Sequence, residues 1–363
     1  MAPRVSTAVA GELPLRDRVI DLAHRLPKLE MHVHLEGTMS PERLAEIARR
    51  DELDVDPRAY APELAERSFE AFLVAFMARL HALRRPDDWA AVLDDLCRTQ
   101  ARQNAIHTEA YVTLTGALRG EFDASDALRA MAEVAADHRR HGVDALLVMD
   151  TPRPLGPEAC EQLIRLSAAD STGLLRGIGI GGPEDSWPTE AFAAPFALAA
   201  DLGLHRTAHA GEHSGPESVR SAVEMLGAER IGHGCRAVED PSVLELLRDR
   251  GVFVDICPTS NRATGAWDPS TGPHPLRALH EAGVRLTVGS DDPAVVGGTL
   301  SGEWASLVLQ HGLRPHDLVA LTQGSVEACF LQPTERARLR ARVAADIFDI
   351  NDDAAALEEA LAL

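Results

Sequence analysis

The sequence predicts an α/β fold: a (β/α)8 TIM-type barrel with a helical insertion after the first strand and a helical C-terminal tail. Eight short apolar segments recur along the chain, and longer segments with helical periodicity lie between them. The 363 residues, 45% of them hydrophobic, can bury a large core. Strand–helix alternation is typical of a parallel sheet. Eight strands at this spacing fit a closed barrel better than an open sheet, although the alternation alone allows both.

The strands and helices follow one another in a regular order. The predicted strands are residues 28–34, 106–112, 145–150, 174–181, 204–210, 230–234, 252–257 and 285–290. The predicted helices between them are residues 124–141, 157–170, 189–202, 218–226, 241–249 and 275–282.

Two regions lie outside this alternation. Residues 38–102 form a long stretch, within which residues 69–83 carry apolar side chains at helical spacing. This stretch predicts helices inserted after the first strand, either as a lid over the barrel mouth or as ordinary outer-layer packing, which periodicity does not separate. Residues 1–24 form an N-terminal arm and residues 301–363 are helical in pattern, so we predict one domain over residues 1–363.

Charge and cysteine content exclude several classes of protein. The chain has 36 Lys and Arg against 56 Asp and Glu, and its net charge of −20 disfavours a nucleic-acid partner. No segment approaches the ~18 apolar residues needed to span a membrane, and the N-terminus lacks the apolar region of a signal peptide. The five cysteines are far apart and form no CxxC: Cys97, Cys160, Cys235, Cys257 and Cys329. We therefore expect a reduced, cytoplasmic protein with a small-molecule partner and no membrane partner; the sequence predicts no oligomeric state.

Two histidines lie at the end of the first predicted strand. His32 and His34 in the motif MHVHLEG are two residues apart, so their side chains point to the same face of the strand. Both imidazoles can therefore bind one metal ion. An HxH pair alone is weak support, because two strand histidines are more often satisfied by hydrogen bonds.

Three further motifs lie at predicted strand ends. His209 ends the fifth strand and Glu212 follows it, His233 ends the sixth, and Asp291 and Asp292 follow the eighth. Each alone is ordinary, but together they lie where barrel enzymes assemble their active sites. Three histidines and a carboxylate suit zinc, which leaves a position for a water whose pKa falls to about 7. Glu212 and His233 would then serve proton transfer, His233 either by taking the proton of the water or by orienting the hydroxide.

The set HVHLEG, HAGE, RIGHG, CPTSN and SDDP resembles the adenosine/adenine deaminase group of the amidohydrolase superfamily. The resemblance runs from about residue 26 to about residue 331, in the same order. It implies a (β/α)8 barrel that binds one zinc ion per chain and a purine substrate. The zinc ligands that it implies are His32, His34, His209 and Asp291.

The resemblance also implies a reaction, the hydrolytic deamination of an aminopurine to the 6-oxopurine and ammonia. Glu212 matches the proton donor to the purine ring, and we expect its pKa to be raised so that it can donate. His233 matches the residue that activates and positions the zinc hydroxide. Asp292 matches a residue that supports the hydroxide and contacts the purine, and the Gly182 amide matches another purine contact. Glu36 occupies the position of an Asp that contacts the nucleoside sugar in adenosine deaminases.

Three positions depart from adenosine deaminases. Gly179 replaces the Asp of a DLAG pattern, Pro183 stands where Asp or Asn is usual, and Glu36 is the residue that adenine deaminases carry. All three lie where the outer part of the substrate would rest. We expect adenosine or an adenosine-like nucleoside as the substrate, with adenine or a modified adenine nucleoside as the alternative. No cluster of Arg or Lys near the motifs offers a site for a nucleotide phosphate.

Two remoter alternatives are another zinc amidohydrolase on the same barrel and an inactive binding protein. A binuclear site is disfavoured, since no lysine ends the fourth strand. His107 and Glu109 form an HxE without a PCxxC, so this pair is interpreted as chance.

The sequence also suggests structural roles for four residues beside the motifs. Cys257 is expected to be a packed apolar residue, His213 to lie at the rim, Asn261 to shape the loop after the seventh strand, and Trp187 to be a candidate pocket wall.

Overall fold

The computed structural model describes residues 13–56, 59 and 68–362. Its eight strands form one parallel sheet in chain order, and each strand pairs with the next. They are β1 Lys28–His34, β2 Ala105–Val112, β3 Asp144–Pro152, β4 Leu175–Gly181, β5 His205–Ala210, β6 Arg230–His233, β7 Phe253–Ile256 and β8 Arg285–Val288. Every predicted strand is confirmed, and each bound lies within two residues of its prediction.

The barrel closes between the chain after β8 and the end of β1. The amide of Asp291 donates to the carbonyl of His32 at 3.0 Å, and the amide of His34 donates to the carbonyl of Asp291 at 2.8 Å. Gly289 makes this close approach possible, because a Cβ there would lie 2.7 Å from Cβ of His32 and would run into its carbonyl oxygen. The predicted (β/α)8 TIM-type barrel is therefore confirmed, and it closes at residues predicted to form the site.

Helices cover the outside of the sheet. The helices of the alternating part are α6 Ala124–Arg140, α7 Gly156–Ala168, α8 Ala193–Asp201, α9 Pro216–Glu224, α10 Pro241–Arg250 and α12 Leu276–Glu281. Short helices also follow strands β2, β7 and β8: α5 Thr115–Leu118, α11 Pro258–Thr264 and α13 Pro293–Val296. The predicted helix 189–202 begins instead with a 3₁₀ turn, Thr189–Phe192, before α8.

The chain after β8 is helical, as predicted, and among the described residues a helix also precedes β1, where the sequence predicted only an arm. These helices are α1 Leu15–Arg25, α14 Leu300–Leu309, α15 Pro315–Ser325, α16 Pro333–Asp346 and α17 Phe348–Ala362. Helix α1 packs against α14 and α17. The first twelve residues of the predicted N-terminal arm lie outside the described residues. Across the described part of the chain, no helix combines the length and apolar character that crossing a bilayer requires.

Within the described residues between β1 and β2, a 3₁₀ turn, Glu36–Thr38, is followed by three α-helices: α2 Pro41–Arg50, α3 Phe69–Ala82 and α4 Pro86–Arg102. Helix α4 packs against α6 in the outer layer. Helix α3 is anchored by the buried guanidinium of Arg79, which donates to the carbonyls of Met39 at 2.9 Å and Ala59 at 2.8 Å. Residues 57–58 and 60–67 of the predicted insertion lie outside the described residues.

The HxE pair on β2 belongs to a buried polar network inside the barrel. Nδ1 of His107 lies 2.9 Å from Asp144, and its Nε2 lies 3.2 Å from Glu109. Glu109 also pairs with Arg230, whose Nε lies 3.6 Å from Asp255. The pair is therefore part of the barrel interior, a structural role that the sequence analysis did not assign.

Candidate active site

The ends of the strands surround a cavity of about 180 Å³. Each strand end, or the loop after it, contributes a lining residue: His34, Thr113, Asp150, Gly182, His209, His233, Thr264 and Asp291, in chain order. Helix α3 forms an apolar wall with Phe69, Phe72, Leu73, Phe76 and Met77. The sequence predicts a helix here, but its periodicity does not show which face of the helix lies against the site.

Three histidines and an aspartate meet at one side of this cavity. Nε2 of His34 lies 3.1 Å from Nε2 of His209 and 3.4 Å from Oδ1 of Asp291. Nε2 of His32 lies 3.2 Å from the same carboxylate oxygen. All four side chains are buried, and one possible ligand atom from each lies within 4.8 Å of the others. The structure therefore brings the four predicted metal ligands together.

The ring nitrogens in this cluster are available to a metal ion. Nδ1 of His209 donates to the carbonyl of Ile180 at 3.0 Å, so its Nε2 presents a lone pair to the cluster. Neither ring nitrogen of His32 has a hydrogen-bond partner among the described residues. Two ligands of a tetrahedral zinc ion, at about 2.0–2.1 Å from it, lie about 3.3 Å apart. The separations in the cluster are close to this value, so these residues fit zinc.

Glu212 lies across the cavity from the cluster. Its Oε1 accepts a hydrogen bond from the Thr264 hydroxyl at 3.1 Å and lies 3.4 Å from Nε2 of His213. Its Oε2 lies 3.7 Å from Nε2 of His233. Burial raises the pKa of Glu212, but His233 and His213 lower it more, so the pKa lies below its usual range. The expectation of a raised pKa was wrong, because the nearby His233 and His213 together outweigh the effect of burial.

The loop that carries Glu212 is held by another carboxylate, Glu184. Oε1 of Glu184 accepts hydrogen bonds from the amides of Glu212 and His213, both at 2.8 Å. Its Oε2 accepts from the amide of Gly211 at 3.0 Å and from the hydroxyl of Ser218 at 2.8 Å. A carboxylate that accepts several backbone N–H bonds is a strong anchor. Glu184 lies in the loop after β4, and no local sequence pattern identifies it.

The chain turns sharply at two of the site residues. His233 and Asp291 have φ values of 64° and 61°, in the left-handed region that residues other than glycine rarely adopt. The Ser260 hydroxyl donates to Oδ2 of Asp291 at 2.6 Å. Such local strain clusters at functional sites, where the surrounding structure holds it in place.

Asp292 lines the cavity, whereas Glu36 does not. Oδ1 of Asp292 is buried without a hydrogen-bond partner among the described residues, and burial together with Asp291 raises its pKa well above the usual range. Glu36 is fully buried, and its Oε1 accepts from the amide of Thr113 at 2.6 Å. The structure therefore places Glu36 behind the cavity wall, away from the substrate contact predicted for it, because its carboxylate holds the chain after β2.

Asp150 at the end of β3 is a site residue that the sequence analysis missed. Its side chain lines the cavity, and its buried Oδ1 has no partner among the described residues. A Cβ at Gly179 would lie 3.2 Å from this oxygen, and a Cβ at Gly181 would lie 2.9 Å from Oδ2. Asp150 thus fills the space beside Gly179 and Gly181. A single Asp at the end of a strand forms no recognisable motif. The unusual Gly179 was therefore the only sequence feature that indicated a difference in this part of the cavity wall.

Three of the remaining predictions concern the loop after β4, and one concerns Cys257. Gly182 and Pro183 line the cavity, whereas Trp187 does not: it is 41% exposed and its indole lies beside Gly156. The expectation that Trp187 forms a pocket wall was therefore wrong, because the loop after β4 turns this side chain outward. Cys257 is buried, and burial raises its pKa well above the usual range, as expected of a packed residue.

The fold and the site together define a class: a barrel enzyme with a buried three-histidine, one-carboxylate cluster at the carboxyl ends of its strands. The sequence model of the family described as adenosine deaminase matches residues 27–346. The chain therefore belongs to the adenosine deaminase family and is a hydrolase that acts on an amidine C–N bond.

Several known proteins are similar to this chain. The aminodeoxyfutalosine deaminase of Streptomyces avermitilis is 34% identical over 329 residues, which cover 88% of this chain and 90% of the relative. The adenine deaminase of Rhizobium leguminosarum bv. trifolii is 32% identical, with 88% of this chain and 99% of the relative covered. The crystal structure of an amidohydrolase from Burkholderia ambifaria with bound zinc has the same fold, with a TM-score of 0.85, 24% identity and 98% of both chains covered.

The anchoring by Glu184 predicts the effect of a conservative substitution. Glu184→Gln replaces one acceptor oxygen by an amide that faces the Gly211 N–H and the Ser218 hydroxyl. We expect a loss of roughly 1–3 kcal/mol in the free energy of unfolding and a lower kcat, measured by urea unfolding and by the deamination assay described below. Glu217→Gln, an exposed substitution on the neighbouring helix α9, is the control. Equal stability and activity in the two variants would contradict the anchoring role.

Proposed function

We propose that this protein is a zinc-dependent deaminase of a modified adenine nucleoside. The observation that carries the proposal is that one cavity holds the cluster of His32, His34, His209 and Asp291 and, facing it, Glu212 and His233. Family membership supports the reaction class. The substrate follows from the cavity wall and from the relatives, which support the alternative of the sequence analysis better than adenosine itself.

The cluster of His32, His34, His209 and Asp291 would hold the zinc ion. The zinc in the Burkholderia ambifaria structure supports this identity, as do imidazole and carboxylate ligands. When bound, zinc supplies a Lewis acid that lowers the pKa of water to about 7. Ser260 holds the Asp291 carboxylate, and Ile180 fixes the tautomer of His209, so both ligands are oriented by the protein.

The other side chains act on the purine and on the attacking water. Glu212 delivers a proton to the ring nitrogen beside the amino-bearing carbon, and the Thr264 hydroxyl orients its carboxylate. The amino group takes up the second proton of the attacking water and leaves as ammonia. Asp292 and the amide of Gly182 would hold the purine from two further sides of the cavity.

The cavity wall favours a substrate without phosphate. The described residues that line the cavity include no arginine and no lysine. They do include four acidic residues: Asp150, Glu212, Asp291 and Asp292. A phosphate here would find no cationic partner and would face the negative charge of Glu212, whose pKa is lowered. Burial raises the pKa of Asp150 to about 7, and its unpartnered oxygen is placed to accept a hydrogen bond from the substrate.

The apolar wall of α3 favours a modified nucleoside over adenosine. Phe69, Phe72 and Phe76 form a stack with ring centroids 5.8 and 5.9 Å apart, and all three line the cavity. An apolar or aromatic substituent on the nucleoside would cover this wall, whereas the hydroxyl groups of ribose would not. The similarity to aminodeoxyfutalosine deaminases agrees with this assignment.

Adenine itself is the second candidate. The chain is 32% identical to an adenine deaminase whose length it almost completely covers. By the resemblance of the sequence, Glu36 matches a Glu of adenine deaminases, and its Oε1 accepts from the amide of Thr113 instead of lining the cavity.

A substrate panel tests the proposal. Zinc-loaded protein is given aminodeoxyfutalosine, adenine, adenosine and AMP, and ammonia release and the ultraviolet change are followed. We expect kcat/KM for the modified nucleoside to exceed that for adenosine by about 10-fold and that for AMP by about 100-fold, the latter from like-charge repulsion. Glu212→Gln, which keeps the shape of the site, should lower turnover by about 1,000-fold. Equal turnover of AMP, or cleavage of an amide or ester without deamination of any purine, would contradict the proposal.

The position of Asp150 in the cavity predicts that its substitution weakens binding of the preferred substrate. Asp150→Asn removes the charge of the unpartnered carboxyl and replaces one acceptor oxygen. We expect KM to rise by roughly 10-fold or more, the cost of one hydrogen bond to a charged group, with kcat changed much less. Asp185→Asn, an exposed substitution in the loop after β4, is the matched control. An unchanged KM in Asp150→Asn would show that this oxygen does not contact the substrate.

A further inference from the structure

A buried chain of hydrogen bonds leads from a backbone amide to His233. The amide of Leu276 contacts Nδ1 of His274 at 3.0 Å, and Nε2 of His274 lies 3.1 Å from Oδ1 of Asn261. Nδ2 of Asn261 lies 2.9 Å from Nδ1 of His233. His274, Asn261 and His233 are each at most 3% exposed. Of these residues, only His233 lines the cavity of the proposed deaminase site.

The direction of every bond in this chain follows from its first member. A backbone N–H can only donate, so Nδ1 of His274 accepts from Leu276 and its Nε2 carries the proton. Nε2–H of His274 must then donate to Oδ1 of Asn261. Burial lowers the pKa of His274 to about 3, so this ring stays neutral and keeps the pattern.

The amide of Asn261 transmits this direction to His233. Because Oδ1 of Asn261 accepts from His274, its Nδ2 faces His233 and donates to Nδ1. The neutral His233 ring therefore carries its proton on Nε2, the nitrogen that faces the cavity. A proton on Nδ1 would place two donors against each other inside the protein, which is costly.

Nε2 of His233 faces a position between two carboxylates. It lies 3.7 Å from Oε2 of Glu212 and 3.9 Å from Oδ2 of Asp291, in both cases too far for a direct hydrogen bond. One oxygen atom between these groups would lie within hydrogen-bond reach of the N–H and of the Glu212 carboxylate. A histidine in this tautomer can donate to such an oxygen but cannot take a proton from it.

We propose that Asn261 and His274 are positioning residues that fix His233 as a hydrogen-bond donor, so that His233 orients the attacking water and does not remove its proton. The proposal rests on the proposed deaminase function. The proton of the water passes to the Glu212 carboxylate as its oxygen bonds to the amino-bearing carbon. Glu212 then gives this proton to the ring nitrogen. The second proton of the water leaves with the amino group as ammonia, and His233 keeps its own proton throughout.

The variant Asn261→Asp tests the proposal, because its carboxylate accepts from both histidines. We expect the proton of His233 to move from Nε2 to Nδ1, which is read from the nitrogen shifts of ¹⁵N-histidine-labelled protein, with His233 assigned by its loss in His233→Gln. Losing a preorganised N–H donor should lower kcat by about 100-fold or more, with KM changed only a few-fold. If His233 were the base, the bare Nε2 in this variant would preserve or raise kcat, and the proposal would be overturned.

Two further measurements keep the test independent of the folding of that variant. His274→Gln retains an amide donor toward Asn261, whereas His274→Leu does not, so we expect the first to keep the Nε2–H tautomer and most of kcat and the second to lose both. Asn351→Asp on the outer helix α17 makes the same chemical change away from the site and should alter neither. A proton on Nδ1 of His233 in the unmodified protein would refute the proposal outright. This tautomer is measured without substrate, so a failure of the deaminase assignment is seen separately, as absence of ammonia release.

Discussion

The carboxylate of Asp291 is the constraint on which the site depends. It is buried beside the rings of His32 and His34, and a buried carboxylate is stable only when it is paired or bound to a metal ion. The backbone of the same residue closes the barrel by hydrogen bonds to β1. Glu30 of β1 accepts from the amide and the hydroxyl of Ser290, which fixes the turn before Asp291. The fold and the metal cluster therefore cannot vary independently.

Space around the cluster is equally restricted. A Cβ at Gly232 would lie 2.6 Å from Cε1 of His32, and Gly289 has no room for a side chain against the same residue. On the other side of the cavity, different residues position Glu212 and His233. Glu184 anchors the loop of Glu212, and Asn261 sets the tautomer of His233. The wall formed by α3 contacts both of these regions: the ring centroid of Phe69 lies 4.6 Å from that of His213, and α3 packs against α11, the helix that carries Asn261.

The sequence predicted the fold well, and the structure brings the predicted site residues together, because both the strands and the site motifs have local signatures. Each strand is a short apolar run, and the histidines and acids lie at the strand ends in recognisable motifs. Asp150, Glu184 and His274 have no such signature, since their partners are distant in sequence and only the folded barrel brings them together. The same holds for Glu36, whose carboxylate turns to the chain after β2. The pKa of Glu212 was mispredicted because the sequence alone does not give its distances to His233 and His213.

Zinc content in two neighbouring variants tests the central claim most directly. The protein, Asp291→Asn and Asp292→Asn are each loaded with zinc, dialysed against metal-free buffer and analysed by mass spectrometry of the metal. If Asp291 is a ligand and Asp292 is not, the protein and Asp292→Asn retain about one zinc per chain, whereas Asp291→Asn loses most of it. Equal zinc content in the two variants, or a metal-free protein that deaminates its substrate at full rate, would contradict the account.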